Sequence, residues 1–282
     1  METISVCIPS HNTLSRGEEV LKRAVNSIST SIKYLYSQRN DVKVIISWVD
    51  DASTDETVNE IKRLRELQEP IIKDNFFITP LQINKGQAYC RNLAATLYKS
   101  DFICLFDSDD EMYENHISIC YDLMNVKNEK GEKFGLASTS IDTSEEDIHP
   151  YWRGAISDTA PNTKIIRRDV WEFIEGMPMD FIYKKIGQED EAFIMIYQNF
   201  FYPVKTEIIT GKYWNYPGSN LDKQIKKFQT DPNNYLPELE TKEDKKSAFF
   251  KDLFINKKIE YLEQKIKVLN LYDKFDYLMK KF

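Results

Sequence analysis

The chain has 282 residues, 41% of them apolar and 13% aromatic, with 38 basic against 45 acidic side chains and a net charge of −7. That length and apolar content support one large domain or two small ones and exclude a disordered chain. The acidic balance argues against a general nucleic-acid binder, which carries a basic excess, so no nucleic-acid partner is expected. Cys7, Cys90, Cys104 and Cys120 show no CxxC spacing, which argues against a zinc site. Cys7 and Cys104 fall inside apolar runs, where a buried free thiol is expected, the pattern of a reducing, cytoplasmic compartment. The N-terminus METISVCIPSHN lacks the basic and apolar regions of a signal peptide. No stretch approaches the ~20 apolar residues of a membrane span.

In chain order, ISVCIP predicts a first strand. Val20, Leu21, Ala24, Val25, Ile28 and Ile32 then recur at helical spacing. VKVIISWV predicts a second strand, followed by a helix in DDASTDETVNEIKRL that Ser53 and Glu56 are expected to open as a capping box. NFFITPLQI reads as a third strand, GQAYCRNLAATLYKS as a helix and DFICLF as a fourth strand. Strands alternating with helices predict an α/β fold, a mostly parallel central sheet covered by helices on both faces. Residues 111–220 are less regular, with strands expected at KFGLAST and FFYPVKTEII and a helix at EDEAFIMIYQNF. Trp152 and Trp171 in this region read either as a sugar platform or as core. From about Leu221 the composition turns to Lys, Glu, Asp, Leu and Phe, and 243–282 reads as a helical tail. Its stripe of Ile259, Leu262, Ile266 and Leu269 ends at Asp273, which argues against a long coiled coil. The tail reads either as a helix packed on the domain or as a homodimer seam or peripheral membrane face.

Three polar clusters follow strand ends: Ser10–Asn12, Asp50–Ser53 and Asp107–Asp110. Open α/β sheets bind ligands in the crevice outside the carboxyl ends of their strands, so these distant segments are expected to converge. In an extended segment Asp107 and Asp109 face the same side. Two carboxylates there suit Mg²⁺ or Mn²⁺, with phosphate oxygens and water completing the shell. The competing reading is a solvated acidic turn. Ser53, Asp55 and Glu56 are accounted for by helix capping, which leaves Asp51 as the functional candidate of its cluster. Arg91 reads as a diphosphate contact or a surface salt bridge. His11 reads as a loop histidine with ordinary hydrogen bonds.

The segments ISVCIPSHN, VDDASTDET, NKGQAYCRNLA and FICLFDSDD resemble, in order and spacing, glycosyltransferase family 2 with its GT-A fold. TKIIRRDVWEFI followed by GQEDEAF is similar to the acceptor side of that family, and YWNYPGSN to the segment after it. The resemblance covers roughly residues 3–220. It implies a nucleotide-sugar donor and an inverting, metal-dependent transfer to a sugar, glycan or lipid-linked acceptor, in polysaccharide or glycan synthesis of bacterial type. Carried over by position, Asp51 would bond the nucleobase, usually uracil, with the backbone at Pro9 beside it. Gly86, Arg91, Asp107 and Ser108 would contact the donor, Arg91 near the diphosphate and Asp107 near the ribose and metal. Asp109, with Asp107, would hold Mn²⁺ or Mg²⁺. Asp190 would be the general base, with Glu189 positioning it or the acceptor. The chain departs from the family pattern at His11, where an aromatic residue is usual, at Ala52, where glycine is usual, and at Tyr216, where many relatives have histidine. The departure at Tyr216 leaves a metal or phosphate contact from that segment open.

The expected organisation is a nucleotide-sugar-binding half at 1–110, an acceptor half of the same domain at 111–220, and a helical tail at 221–282. A cytoplasmic protein, at most peripheral at the inner face of a membrane, is expected. The rival readings are a nucleotidyltransferase on a similar sheet, a non-catalytic nucleotide or glycan binder, and a scaffold assembled through the tail. PSHNTLSRG is a poor match to the glycine-rich, lysine-containing loop of nucleotidyltransferases. The scaffold leaves the acidic clusters unexplained.

Overall fold

Two nine-residue runs, β1 (Glu2–Ser10) and β2 (Val42–Asp50), pair in parallel from Glu2 opposite Val42 to Ser10 opposite Asp50. Both are buried on both faces, so their apolar residues run almost without alternation. Between them α1 (Glu18–Gln38) buries Val20, Leu21, Ala24, Val25, Ile28, Ile32 and Leu35, the stripe its periodicity predicts. The computed structural model describes residues 1–143, 148–232 and 242–271.

The chain continues through α2 (Thr57–Glu66), α3 (Pro70–Lys73), β3 (Phe76–Pro80), α4 (Gln87–Leu97), β4 (Phe102–Leu105), β5 (Glu111–Met112) and α5 (His116–Asn125). There follow β6 (Leu136–Asp142), α6 (Pro150–Thr159), β7 (Lys164–Arg167), α7 (Arg168–Ile174), α8 (Phe181–Ile186), α9 (Glu189–Phe200), β8 (Pro203–Lys212), α10 (Asn220–Thr230) and α11 (Lys242–Leu269). The strands form one sheet in the order β3-β2-β1-β4-β7-β6-β8-β5. β1 to β4 are mutually parallel, whereas β7 joins antiparallel to both β4 and β6. The sheet is therefore mixed beyond β4. β2 and β4 flank β1 on opposite sides, so the direction of winding reverses there. That switch point opens a crevice beyond the carboxyl ends of β1 and β4.

One core lies on each face. Ile4, Val6 and Ile8 of β1 pack with α1, α2 and α5, while Cys7 points the other way into a core shared with α4, α7, α9 and α11. All four cysteines are buried free thiols. Trp171 is 3% exposed and packs against Phe193 at 5.3 Å, which makes it core rather than a sugar platform. Trp152 packs at the edge of a small third cluster of Ile148, Leu221 and Ile225.

Three local expectations need correction. Helix α2 opens at Thr57 without the Ser53–Glu56 capping box, because the Asp50 carboxylate accepts both the amide and the hydroxyl of Ser53. Asp55 instead accepts the Thr57 amide at 3.0 Å. β3 stops at Pro80, and Ile83 is 65% exposed. On α11, Leu262 and Ile266 are fully buried and Ile259 packs beside them, joined by Ile255, but Leu269 is exposed. The stripe thus serves the core of this chain, one residue short of the expected four. Asp273 lies outside the described residues.

Candidate active site

The crevice is built by loops that bind one another. Asn12, in the left-handed region at φ 49°, accepts the Thr54 amide through its side chain and donates its own amide to the Ser53 hydroxyl. The His11 Nδ1–H donates to the Asp51 carbonyl at 2.8 Å, an ordinary loop bond. Asp51 is 4% exposed, and its two carboxylate oxygens accept the Lys85 and Gly86 amides at 2.6 and 2.8 Å. Gly86 takes φ 92° there, immediately before α4. Pro9 is buried in β1 opposite Val49.

The acidic cluster is not extended. β4 ends at Leu105, and Asp107–Asp110 form a turn closed by the Asp110 amide on the Asp107 carbonyl. The same-side argument for Asp107 and Asp109 therefore does not apply, and the turn places its four side chains separately. Asp107 accepts Nη2 of Arg91 at 2.5 Å. The Ser108 hydroxyl is buried against that of Thr13 at 2.9 Å, pinning the turn to the first loop. Asp109 pairs with Arg16. Asp110 is buried and accepts the Asn162 amide group and the Trp214 backbone amide. Burial, reinforced by the charge of Asp107, pushes its carboxyl well above the usual range.

Arg91 is only 2% exposed. Its second terminal nitrogen donates to Glu189 at 3.0 Å, so it bridges the acidic turn to the start of α9. Both terminal nitrogens are committed to carboxylates, and Nε has no partner. The expected surface salt bridge does not describe this geometry, because Arg91 is a buried brace between two carboxylates. Glu189, 2% exposed, also accepts the Gln87 side chain at 2.5 Å. Asp190 beside it is partly exposed and accepts the Glu191 amide. Burial first, then the charge of Glu189, push its carboxyl up to about 6 against the pull of Arg91. Lys164 is buried nearby in β7 and donates to the Ala160 carbonyl and the Thr163 hydroxyl, both at 2.8 Å. Burial brings its ammonium down to about 7 although Asp190 attracts it.

Sequence reasoning missed a third layer over the turn. The Tyr216 hydroxyl donates to the Asp109 carbonyl at 2.7 Å, and Arg23 donates to the same carbonyl at 3.0 Å. Arg23 also lies over the Trp214 ring, 4.2 Å from its centroid. Only the YWNYPGSN segment hinted at this layer; Arg16 and Arg23 sit in no recognisable motif.

The donor set can be tested against a divalent cation. Asp107 and Asp109 offer hard oxygen ligands, and each already faces a guanidinium, so both call for positive charge. Among the described residues no group of three or more metal-ligating side chains gathers. Two protein carboxylates completed by phosphate oxygens and water are what Mg²⁺ and Mn²⁺ accept, so the residues fit.

The profile of Glycosyl transferase family 2 matches residues 5–182. Direct comparison with curated protein sequences finds no match. Among solved structures, S. aureus TarS 1–349 in complex with UDP-GlcNAc aligns with a TM-score of 0.57 at 18% identity, over 78% of this chain and 60% of that one. TarS 1–349 without a named ligand aligns with a TM-score of 0.58 at 15% identity, over 94% and 83%. The mannosyltransferase PcManGT from Pyrobaculum calidifontis, in complex with GDP-Man and Mn²⁺, gives 0.57 at 13% identity, over 95% and 75%. At these identities the likeness shows the GT-A fold, and in the UDP-GlcNAc complex it spans less than two thirds of the TarS chain. With the profile covering more than half of its length, this chain belongs to glycosyltransferase family 2.

Proposed function

We propose that the chain is an inverting, divalent-cation-dependent glycosyltransferase that uses a UDP-sugar and a hydroxyl acceptor on a sugar, glycan or lipid-linked carrier. The supporting observation is the Arg91 brace, which joins the acidic turn at the end of β4 to the Glu189–Asp190 start of α9. In this reading residues 1–110 hold the donor, 111–220 hold the acceptor, and of the tail at 221–282 the helix α11 packs behind them. Asp51 and the backbone at Pro9 face the base. Gly86 and Ser108 shape the donor cleft. Asp107 and Asp109 would hold Mn²⁺ or Mg²⁺, which would supply positive charge against the donor diphosphate and the nucleoside diphosphate leaving group.

Asp190 accepts the proton of the acceptor hydroxyl. A carboxyl titrating near 6 is ionised at neutral pH yet more basic than an ordinary aspartate, which suits that task. Attack from the side opposite the leaving group inverts the anomeric centre. Glu189 and Arg91 act through Asp190 and Asp107, as positioning residues.

A thermal-shift series with UDP-, GDP- and dTDP-sugars, each with and without Mn²⁺, tests this, since binding to the folded state raises Tm by mass action. The expected result is a Mn²⁺-dependent rise with a UDP-sugar, and slow release of UDP on prolonged incubation. Release of pyrophosphate would indicate nucleotidyl transfer instead. No shift with any donor would remove the transferase mechanism.

A further inference from the structure

Three arginines surround the acidic turn, and their surroundings differ. Arg91 is buried with both terminal nitrogens on carboxylates. Arg23 is fixed by the Asp109 carbonyl, the Tyr216 hydroxyl and the Trp214 ring. Arg16 pairs with the Asp109 carboxylate while its side chain remains 42% exposed. Its guanidinium sits 5.4 Å from the centroid of the Tyr216 ring. Arg16 ends the short 3-10 helix Thr13–Arg16, which follows the first crevice loop directly and is tied by the Leu14 amide to Thr57 at the start of α2 and by the Ser15 amide to Asp55 just before it. The backbone that carries Arg16 is therefore held while the side chain can move.

We infer that Arg16 is a donor-phosphate ligand that rests on Asp109 in the free enzyme. This rests on the donor reading above. The Asp109 carboxylate cannot be fully given both to a guanidinium and to a divalent cation. A cation taken by that carboxylate repels the Arg16 guanidinium and competes for the carboxylate's charge, so the Arg16 contact weakens when a cation binds. Unlike buried Arg91 on Asp107, the half-exposed Arg16 side chain has room to move away. A guanidinium released beside two positive neighbours needs an anion, and a diphosphate matches its fork bidentately. Tyr216 gives the planar group a surface to slide on, with the cation–π contact retained in either position. The exchange makes cation and nucleotide mutually dependent: either one alone leaves a charge unpaired. It also gives Tyr216 a use distinct from that of a metal-ligating histidine.

The test uses Arg16→Gln and Arg16→Lys in the full chain, with Mn²⁺ alone, then UDP and GDP at saturating Mn²⁺, by Mn²⁺ EPR and calorimetry. For Arg16→Gln, Mn²⁺ alone should bind about 2- to 5-fold more tightly, the range of a partly exposed ion pair removed from competition. The nucleoside diphosphate that binds the wild type should bind about 10-fold or more weakly, as for loss of a charged hydrogen bond. Arg16→Lys should recover part of both. Opposite signs in the two arms separate this role from a structural one, which would weaken both together. Unchanged nucleotide affinity in Arg16→Gln overturns the phosphate role, and unchanged or weaker Mn²⁺ binding overturns the resting contact. A wild type that binds neither nucleotide overturns the donor reading itself, while the Mn²⁺ arm still reports on the resting contact.

Discussion

The two sides of the crevice are held together in different ways. On the side proposed to hold the donor, the loops after β1, β2, β3 and β4 are cross-linked by Asn12, Asp50, Asp51 and Ser108, and β1, β2 and β4 beneath them are buried. On the other side, α6 has no buried residue, and it rests with α10 on the small cluster of Ile148, Leu221 and Ile225. Segments with few buried contacts open at low free-energy cost. A nucleotide presents the same atoms at every turnover and can be met by a rigid frame. In the proposed reading an acceptor enters and leaves beside Asp190, and a thinly packed flank permits that. The Arg91–Glu189 pair is where the two sides meet.

The largest expected effect breaks chemistry while sparing the frame. Asp190→Asn should lower transfer about 10²–10⁴-fold, the usual contribution of a general base, with Mn²⁺–nucleotide binding unchanged. The wild-type rate should fall about tenfold per pH unit below the carboxyl's value of about 6. The stability sign is opposite. A carboxyl raised from 3.8 to about 6 costs stability as pH rises through that window, so Asp190→Asn should be no less stable than wild type at pH 7. Near-normal turnover would move the base to another group, with Glu191 next in the chain.

Next is the seam itself. Arg91→Met strands Glu189, a charge that is 2% exposed, and removing one partner of a buried pair costs about 3–5 kcal/mol. For a chain of this size that is a fall in Tm of roughly 10 °C. Arg91 also pulls the Asp190 carboxyl down, so the acid limb of any surviving activity should move to higher pH. A variant with wild-type Tm would show that the two sides do not depend on this contact.

The rear of the molecule gives a smaller effect. Glu175 accepts Lys258, Lys265 and the Tyr261 hydroxyl, all from α11. Burial opposes its charge, yet these bonds win and hold the carboxyl down at about 2. A depressed carboxyl contributes fully above its ordinary value of 4.5 and loses that contribution as pH falls toward 2. Because the side chain is 40% exposed, solvent screening limits the stabilisation to about 1 kcal/mol or less. Glu175→Gln should make α11 more sensitive to limited proteolysis at pH 7 and remove that sensitivity's change between pH 5 and 3. Donor binding should not move.

Much of the fold was legible because burial on both faces writes long apolar runs into β1 and β2, and because α1 and α9 carry clear stripes. The site was legible where residues cluster in sequence, as at Asp107–Asp110 and Glu189–Asp190. What was hidden depends on tertiary convergence. The bond from Asp50 to Ser53 overrode a capping box that local pattern favoured. Arg91 could read as a surface arginine because nothing in its own helix shows that carboxylates 16 and 98 residues away would enclose it. Arg16 and Arg23 carry no local signal at all, and Trp214 showed only as part of the YWNYPGSN segment.

The smallest effect concerns the backbone of the donor frame. Asn12, Ala52 and Gln188 all have positive φ, and each adjoins a crevice residue. Asparagine tolerates that region, but alanine at φ 57° brings its Cβ against the carbonyl at a cost of about 1–2 kcal/mol. Ala52 persists there because its neighbours fix it: Asp50 holds Ser53, and Asp51 holds Lys85 and Gly86. Glycine would relieve the clash but brings an unfolded-state entropy penalty of about 0.5–1 kcal/mol. Ala52→Gly should therefore stabilise by about 0.5–1 kcal/mol, a Tm increase of roughly 1–4 °C. If the frame is as over-determined as its hydrogen bonds indicate, nucleotide affinity should stay within about twofold, well under 1.4 kcal/mol. Weaker binding together with higher Tm would show instead that the Ala52 side chain restricts the loop, and that the rigidity of the donor side rests on the strained residue as well as on the bonds around it.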